Sequence, residues 1–110
     1  MGRRVSTVVV NASRIYEDIL NALIREETEL ARVESLVVAK YRKWWNAWMN
    51  KGISDKEIVE QSSWYGMTRY HLEVDIEKLK ALSMMCGDAI RDDTTLTLCR
   101  KDYELIYKGN

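Results

Sequence analysis

The stretch 51-KGISDKEIVEQSSWYGMTRYHLEVDIEKLKAL-82 decides most of the predicted fold, because it combines a helix boundary with apolar residues at helical spacing. Gly52 stands where a left-handed C-terminal cap needs no side chain. Ser54 and Glu57 have the spacing of a capping box, which opens a helix. The sequence therefore predicts that one helix ends near Gly52 and that the next begins near Ser54.

Two helices joined by a corner are expected beyond this boundary. Residues 55–62 form the first helix, and the corner at 62–66 contains a glycine. Residues 67–85 form a longer helix that Gly87 closes. One face of that longer helix carries Leu72, Ile76, Leu79 and Leu82.

The C-terminal segment has the composition of a β-hairpin. Residues 95–99 and 103–107 alternate or are rich in β-branched and aromatic side chains, and 100-RKD-102 separates them. We predict two antiparallel strands whose alternate side chains face a helix.

Helical spacing also dominates residues 14–51, upstream of the boundary. The charged run 25-REETE-29 interrupts the pattern, which is longer than a usual globular helix, so two helices are favoured over one long helix. The β-branched residues before the helix-start signal 11-NAS-13 predict an N-terminal arm or short strand over residues 1–13. The apolar stripe comprises Tyr16, Ile19, Leu20, Leu23, Ile24, Leu30, Val33, Val37, Tyr41, Trp44 and Trp48.

Bulk composition limits the function classes. A chain of 110 residues with 46% hydrophobic residues fits one domain, residues 1–110. The 17 basic residues balance the 17 acidic residues, so no global field attracts nucleic acid or an anionic membrane. Cys86, Cys99 and His71 are too few for a disulfide framework or a four-ligand zinc site without carboxylates. With no long apolar run or secretory signal, the chain is expected to be a cytoplasmic protein with reduced thiols.

The order of elements over residues 40–107 resembles the winged helix-turn-helix superfamily, and the most specific match is 52-GISDKEIVEQ-61. The resemblance implies a mainly α fold with a small C-terminal β-hairpin, in which residues 53–107 form the helix-turn-helix and the hairpin after the N-terminal helices. It also implies that the N-terminal part of the second helix enters the major groove of DNA while the hairpin lies against the phosphates. By this resemblance Thr68, Arg69 and Tyr70 face DNA, with Arg100 and Lys101 at the wing tip.

Charge is distributed unevenly, and this keeps other functions open. Residues 53–93 carry nine acidic and five basic side chains, so Glu73, Asp75 and Glu77 could instead face a basic protein partner. Residues 40–51 contain four cations, three tryptophans and no acid. Lys40, Arg42 and Lys43 could therefore grip phosphates beside an exposed tryptophan. The favoured interpretation nevertheless places Tyr41, Trp44 and Trp48 in the core and leaves only Trp45 outside.

The N-terminal stripe offers a further hypothesis. An apolar seam over several turns suggests a partner helix, most simply a second copy in a two-fold dimer. The alternative is that this seam packs over the C-terminal half of its own chain. The dimer hypothesis names Tyr16, Leu20, Leu23, Leu30 and Val37.

No catalytic constellation stands out in the sequence, which has no phosphate loop, dinucleotide fingerprint or zinc-protease motif. His71 and Asp75 are four residues apart, a spacing more typical of a helix surface than of a proton donor. We therefore expect a non-enzymatic protein without metal or cofactor. The leading hypothesis is a double-stranded DNA-binding transcriptional regulator. The alternatives are a protein-interaction module, such as an inhibitor or assembly subunit, and a nucleic-acid-coating structural subunit.

Overall fold

A computed structural model describes residues 7–50, 52 and 54–108. Over these residues the protein is mainly α-helical with a small antiparallel sheet, as the sequence predicts. The elements are strand β1 (Thr7–Val10), helix α1 (Ala12–Met49), helix α2 (Asp55–Arg91), strand β2 (Leu96–Cys99) and helix α3 (Arg100–Ile106).

Helix α1 is continuous over 38 residues, so the expected break near residues 25–29 is wrong. Its start is as predicted, since the backbone N–H of Arg14 donates to Oδ1 of Asn11 at 3.2 Å. The charged run does not break the helix because Arg and Glu are good helix formers. Glu26 within this run is only 2% exposed and pairs with Lys108 at 3.2 Å, so it belongs to a tertiary contact.

Helix α2 is likewise continuous, over 37 residues, and the predicted corner at 62–66 is helical. The hydroxyl of Ser62 donates to the carbonyl of Val59 at 3.1 Å, a bond that leaves the helical backbone intact. A Cβ added at Gly66 would meet no atom within 4 Å, so this glycine requires neither a turn nor a close approach. Gly87 also lies inside α2 and does not end it. The helix-turn-helix expected over residues 55–85 is therefore not formed.

The boundary between α1 and α2 is confirmed. Helix α1 ends at Met49, and the N–H of Glu57 donates to Oγ of Ser54 at 3.2 Å at the start of α2. The N–H of Gly52 donates to the carbonyl of Ala47 at 2.7 Å, which satisfies one carbonyl of the last turn. Gly52 is not left-handed, so that part of the capping prediction is wrong. Lys51 and Ile53 lie outside the described residues.

The C-terminal cap of α2 lies at Asp93, not at Gly87. Asp93 has a φ of 53°, in the left-handed region that aspartate tolerates better than most side chains. The N–H of Thr94 donates to the carbonyl of Ala89 at 2.8 Å, the bond of a Schellman motif.

The sheet pairs the two ends of the chain. β1 and β2 are antiparallel, with Val8 opposite Leu98. The predicted strand at 95–99 is thus confirmed within one residue, but its expected partner at 103–107 is wrong, because α3 occupies most of that segment. Tyr103 and Tyr107 are four residues apart and their ring centroids lie 4.9 Å apart, a contact that helical spacing allows.

Two compact units make up the chain, and α1 and α2 each contribute to both of them. Unit 1 consists of Met1–Glu26 and Asp75–Asn110, and unit 2 consists of Glu27–Val74. The single-domain interpretation stays a prediction. The thiol of Cys86 donates to the carbonyl of Ala12 at 3.1 Å in unit 1, so the N-terminal part of α1 lies beside the C-terminal part of α2. The core of unit 1 comprises Ala12, Ile15, Ile19, Ala22, Leu79, Leu82, Cys86, Ala89, Leu96, Leu98 and Ile106.

Candidate binding surfaces of unit 2

Unit 2 buries few apolar side chains and exposes many. Among its described residues, the buried hydrophobic side chains are Val33, Trp44 and Leu72. Scattered exposed apolar residues are normal, whereas contiguous ones mark an interaction site, so their arrangement on each helix matters. The large exposed ones are Leu36, Val38, Tyr41, Trp45, Trp48, Met49, Val59, Trp64, Met67, Tyr70 and Val74.

Helix α2 carries a second apolar stripe on the side opposite its buried one. Its inward side includes the half-buried Ile58 and Tyr65 and the buried Leu72. The other side carries the outer stripe, Val59, Met67, Tyr70 and Val74, whose members are between 47% and 64% exposed. The outer stripe has spacings of three, four and eight residues, which keep side chains on one helical face. Helix α2 therefore has two apolar faces, of which unit 2 itself covers one.

The tryptophans of α1 divide between the core and the surface. Trp44 is 7% exposed, and its ring lies 6.0 Å from that of Tyr65. Trp45 and Trp48 are 53% and 44% exposed, with ring centroids 5.7 Å apart. Tyr41 is also exposed. The interpretation that placed Tyr41, Trp44 and Trp48 in the core is thus right only for Trp44, because each helix of a pair can turn only one face toward the other.

The exposed aromatic side chains line a cavity of about 200 Å³, here called the aromatic pocket. The indole Nε1 of Trp48 donates to Oδ1 of Asp55 at 2.7 Å, which joins the end of α1 to the start of α2. Asp55 lies in the first turn of α2, where the helix dipole favours a carboxylate. The lining residues are Tyr41, Trp44, Trp45, Trp48, Asp55 and Ile58.

A second cavity of unit 2, of about 460 Å³, follows the seam between α1 and α2. On α2 it is lined by Ser62 and by Gly66, which has no side chain, and on α1 by Val37 and Tyr41. At one end Arg69 pairs with Glu34 at 3.5 Å, and it also pairs with Glu73 of α2 at 3.1 Å. This seam groove is lined mainly by apolar groups and also contains the ion pair of Arg69 with Glu34.

Thr68, Arg69 and Tyr70 lie in the middle of α2 and not at a helix N-terminus. Consecutive helical residues are rotated by about 100°, so these three side chains point in different directions. The hydroxyl of Thr68 donates to the carbonyl of Trp64 at 2.9 Å. Arg69 is engaged by Glu34 and Glu73. Their expected placement at the start of a recognition helix is therefore wrong.

The other predicted phosphate contacts fall in both units. Lys40, Arg42 and Lys43 are on α1 in unit 2, with Arg42 and Lys43 exposed. Arg42 borders an open depression together with Tyr41, Trp45 and Asn46. Arg100 and Lys101 are exposed in the first turn of α3 in unit 1, so they do not form the tip of a wing.

The acidic residues proposed for a protein partner do not form one acidic face. Glu73 pairs with Arg69, Asp75 with Lys108 at 4.0 Å and Glu77 with Lys80 at 3.7 Å. Each carboxylate thus has a cation beside it. The acidic surface that the sequence suggested is largely neutralised within the chain.

The residues of the predicted dimer stripe are all half-buried. Tyr16 and Leu23 pack against the core of unit 1, as the alternative of packing over the chain's own C-terminal half requires. Val37 borders the seam groove of unit 2. The full set is Tyr16, Leu20, Leu23, Leu30 and Val37.

Unit 1 contains the buried polar contacts, and these serve its structure. The guanidinium of Arg25 donates to the carbonyls of Leu105, Ile106 and Lys108. The hydroxyl of Tyr107 donates to Oδ2 of Asp18 at 2.6 Å, and burial, then this bond, raise the pKa of Tyr107 to about 12.

The two cysteines and the histidine lie in different environments, since Cys86 is buried whereas Cys99 and His71 are exposed. Cys86 and Cys99 are free, and burial raises the pKa of the Cys86 thiol, which disfavours the reactive thiolate. His71 is exposed, with its ring centroid 5.9 Å from that of Tyr70. Across residues 7–50, 52 and 54–108, no group of three histidine, cysteine or acidic side chains is placed to hold a metal ion.

Within the same described residues, no helix combines the length and the apolar character that a membrane crossing requires. No family model, curated protein or solved structure matches the chain.

Sequence reasoning missed two parts of these surfaces. The outer stripe could have been found from the spacing of Met67, Tyr70 and Val74, but the expected corner at 62–66 divided the helix that carries it. The hydrogen bond that Asp55 accepts from Trp48 could not be predicted from the neighbouring residues, because it depends on how α1 approaches α2.

Proposed function

We propose that the chain is a non-enzymatic assembly module that associates with a second copy of itself through the outer stripe of α2. The observation that carries this proposal is the exposure of Val59, Met67, Tyr70 and Val74 on one face of a continuous helix. A two-fold interface brings the same patch of each copy together. An apolar stripe can meet its own copy without any additional complementary pocket.

The energetics of burial support the same conclusion. Burying a side chain such as valine or methionine contributes about 1.5–3 kcal/mol relative to leaving it exposed. The stripe residues are between 47% and 64% exposed, so burying four of them on each copy contributes about 7–14 kcal/mol. This is comparable with the loss of translational and rotational freedom, which costs about 4–15 kcal/mol. Met67 and Tyr70, near the middle of the stripe, are expected to contribute most, because central, fully desolvated positions dominate interfaces.

Light scattering coupled to size exclusion tests this function. The wild type is expected to elute as a dimer, and the double variant Met67→Glu/Tyr70→Glu as a monomer with unchanged helical circular dichroism, because both side chains are exposed. Ile24→Glu is the matched control, since Ile24 is 61% exposed, as the stripe residues are, but lies on α1 and outside the stripe. A monomeric wild type at high micromolar concentration contradicts the proposal.

Nucleic-acid binding is the second candidate, and the exposure of Trp45 beside Arg42 favours it. A cation and an exposed aromatic ring can bind a phosphate and stack on a base. Lys40 and Lys43 on the same helix would add further phosphate contacts. Sequence-specific duplex recognition through Thr68, Arg69 and Tyr70 has less support, because Arg69 is paired with two carboxylates.

A salt titration separates this candidate from self-assembly. Lys43→Ala should lower the slope of log affinity against log salt by about 0.7 for single strands or 0.9 for duplex, the share of one phosphate contact. Lys101→Ala in unit 1 is the control and should leave the slope unchanged. Absence of binding to single-stranded and duplex DNA at low salt would exclude both forms of the candidate.

A further inference from the structure

The aromatic pocket is a ligand site in its own right, and it shares no residue with the outer stripe. We propose that it binds an alkylated ammonium group, such as the trimethylammonium head of choline or the end of a methylated lysine side chain. This inference goes beyond the proposed self-assembly and does not depend on it.

The lining favours a cation over a neutral group. Beside Ile58, the described residues that line the cavity include four aromatic side chains and one carboxylate: Tyr41, Trp44, Trp45, Trp48 and Asp55. The faces of tryptophan and tyrosine rings attract cations, and tryptophan does so most strongly. A neutral apolar ligand would remove water from the Asp55 carboxylate without supplying charge or a hydrogen bond in return, which is unfavourable.

The small number of hydrogen-bond acceptors in the pocket favours an alkylated ammonium group over an unmodified one. An unmodified lysine ammonium has three N–H donors, and a guanidinium has five. Among the described lining residues the one carboxylate is Asp55, and its Oδ1 already accepts the indole N–H of Trp48 at 2.7 Å. Oδ2 of Asp55 can accept from one N–H of a bare ammonium, and the remaining donors would face aromatic rings, which accept hydrogen bonds only weakly. Methyl groups remove those donors and keep the positive charge.

Size and surrounding charge are compatible with this ligand. The cavity of about 200 Å³ is below the roughly 300–1,000 Å³ of pockets for drug-sized ligands, so it suits a head group. None of the cations Lys40, Arg42 and Lys43 lines it. At the start of α2, Asp55, Glu57 and Glu60 outnumber Lys56. The described charges around the pocket are thus mixed, and the one inside it is negative.

The proposal is tested by titrating the protein with choline and with 3,3-dimethyl-1-butanol, its neutral isostere, while following the indole signals by NMR. Choline should bind about two- to fivefold more tightly, which is the factor that a cation–aromatic contact contributes where the rings are partly exposed. Equal affinity for both compounds, or no saturable shift with choline, would overturn the proposal.

Variants of Asp55 and Trp45 test whether these lining residues bind the ammonium group. Asp55→Asn keeps a carbonyl acceptor for the indole of Trp48 but removes the charge, so choline affinity should fall about five- to tenfold while dimethylbutanol is unaffected. Trp45→Leu should weaken choline binding by a similar factor or more. Trp64→Leu is its control, because Trp64 is exposed and does not line the pocket. Unchanged choline affinity in both Asp55→Asn and Trp45→Leu would refute the site.

A final arm assigns the source of the ammonium group. Tighter binding of an Nα-acetyl-Nε-trimethyllysine ester than of choline supports a protein side chain as the ligand, and the reverse order supports a free small molecule. The titration is repeated with Met67→Glu/Tyr70→Glu. Persistence of choline binding in that variant would show that the pocket works independently of the outer stripe, so failure of one proposal does not decide the other.

Discussion

The guanidinium of Arg25 donates to the carbonyl oxygen of Leu105 at 2.8 Å, across 80 positions of sequence. It also donates to the carbonyls of Ile106 and Lys108, at 3.2 Å each. The carbonyls at the end of a helix lack donors from a following turn, and a cation there also interacts favourably with the helix dipole. The N–H of Lys108 also donates to the carbonyl of Leu105, at 3.4 Å. A side chain in the middle of α1 thus holds the C-terminal helix in unit 1.

Replacing Arg25 with Met should lower the free energy of unfolding by about 1–3 kcal/mol, because the carbonyls of a half-buried helix end lose a charged donor. Arg25→Lys should recover only part of this loss, since an ammonium cannot spread its donors in a planar fork. Urea denaturation measures both. Arg32→Met is the control and should leave the stability almost unchanged, because its pair with Glu29 is exposed. Equal effects of the two Met variants would contradict this role of Arg25.

Replacing Gly66 with Ala should stabilise the protein by about 0.5–1 kcal/mol. The residue lies inside α2, and an added Cβ meets no atom within 4 Å. Alanine has the higher helix propensity and restricts the unfolded chain. Thermal and urea denaturation measure the change. A loss of more than about 1 kcal/mol would instead favour the glycine-containing corner that the sequence suggested.

Titration of Tyr107 should make the protein less stable at alkaline pH. Its folded pKa of about 12 lies above the ordinary value of 10.0, so its contribution is fully present below pH 10 and is lost as the pH rises toward 12. Urea denaturation at a series of pH values should show this fall, and Tyr107→Phe should reduce it. Tyr41→Phe, at an exposed ring, should keep the wild-type profile. Identical pH profiles for the wild type and Tyr107→Phe would rule out this contribution.

Local signals in the sequence predicted the helix boundaries that depend on local bonds. Asn11 and Ser54 cap α1 and α2 as expected, since each accepts a hydrogen bond from a residue three positions ahead. The alternation of β2 was also readable, because Leu96 and Leu98 are buried and Thr97 between them is exposed. These features depend on neighbouring residues and leave a pattern in the sequence.

Features that depend on distant residues were not predictable in the same way. Glu26 belongs inside α1 because Lys108 reaches it from the other end of the chain. β2 pairs with β1 and not with the residues that follow it, and no local pattern distinguishes these partners. Tyr41 and Trp48 have the spacing of core residues, but unit 2 leaves both of them exposed. The sequence therefore indicated helices and caps better than it indicated which surfaces stay open.

The central claim, that the outer stripe joins two copies, is tested most directly by isotope-filtered NMR on a mixture of labelled and unlabelled protein. Intermolecular contacts are expected at the methyl groups of Val59, Met67 and Val74. Contacts confined to the predicted N-terminal stripe, at Leu20, Leu23 or Leu30, would contradict the claim, as would the absence of any intermolecular contact at millimolar concentration.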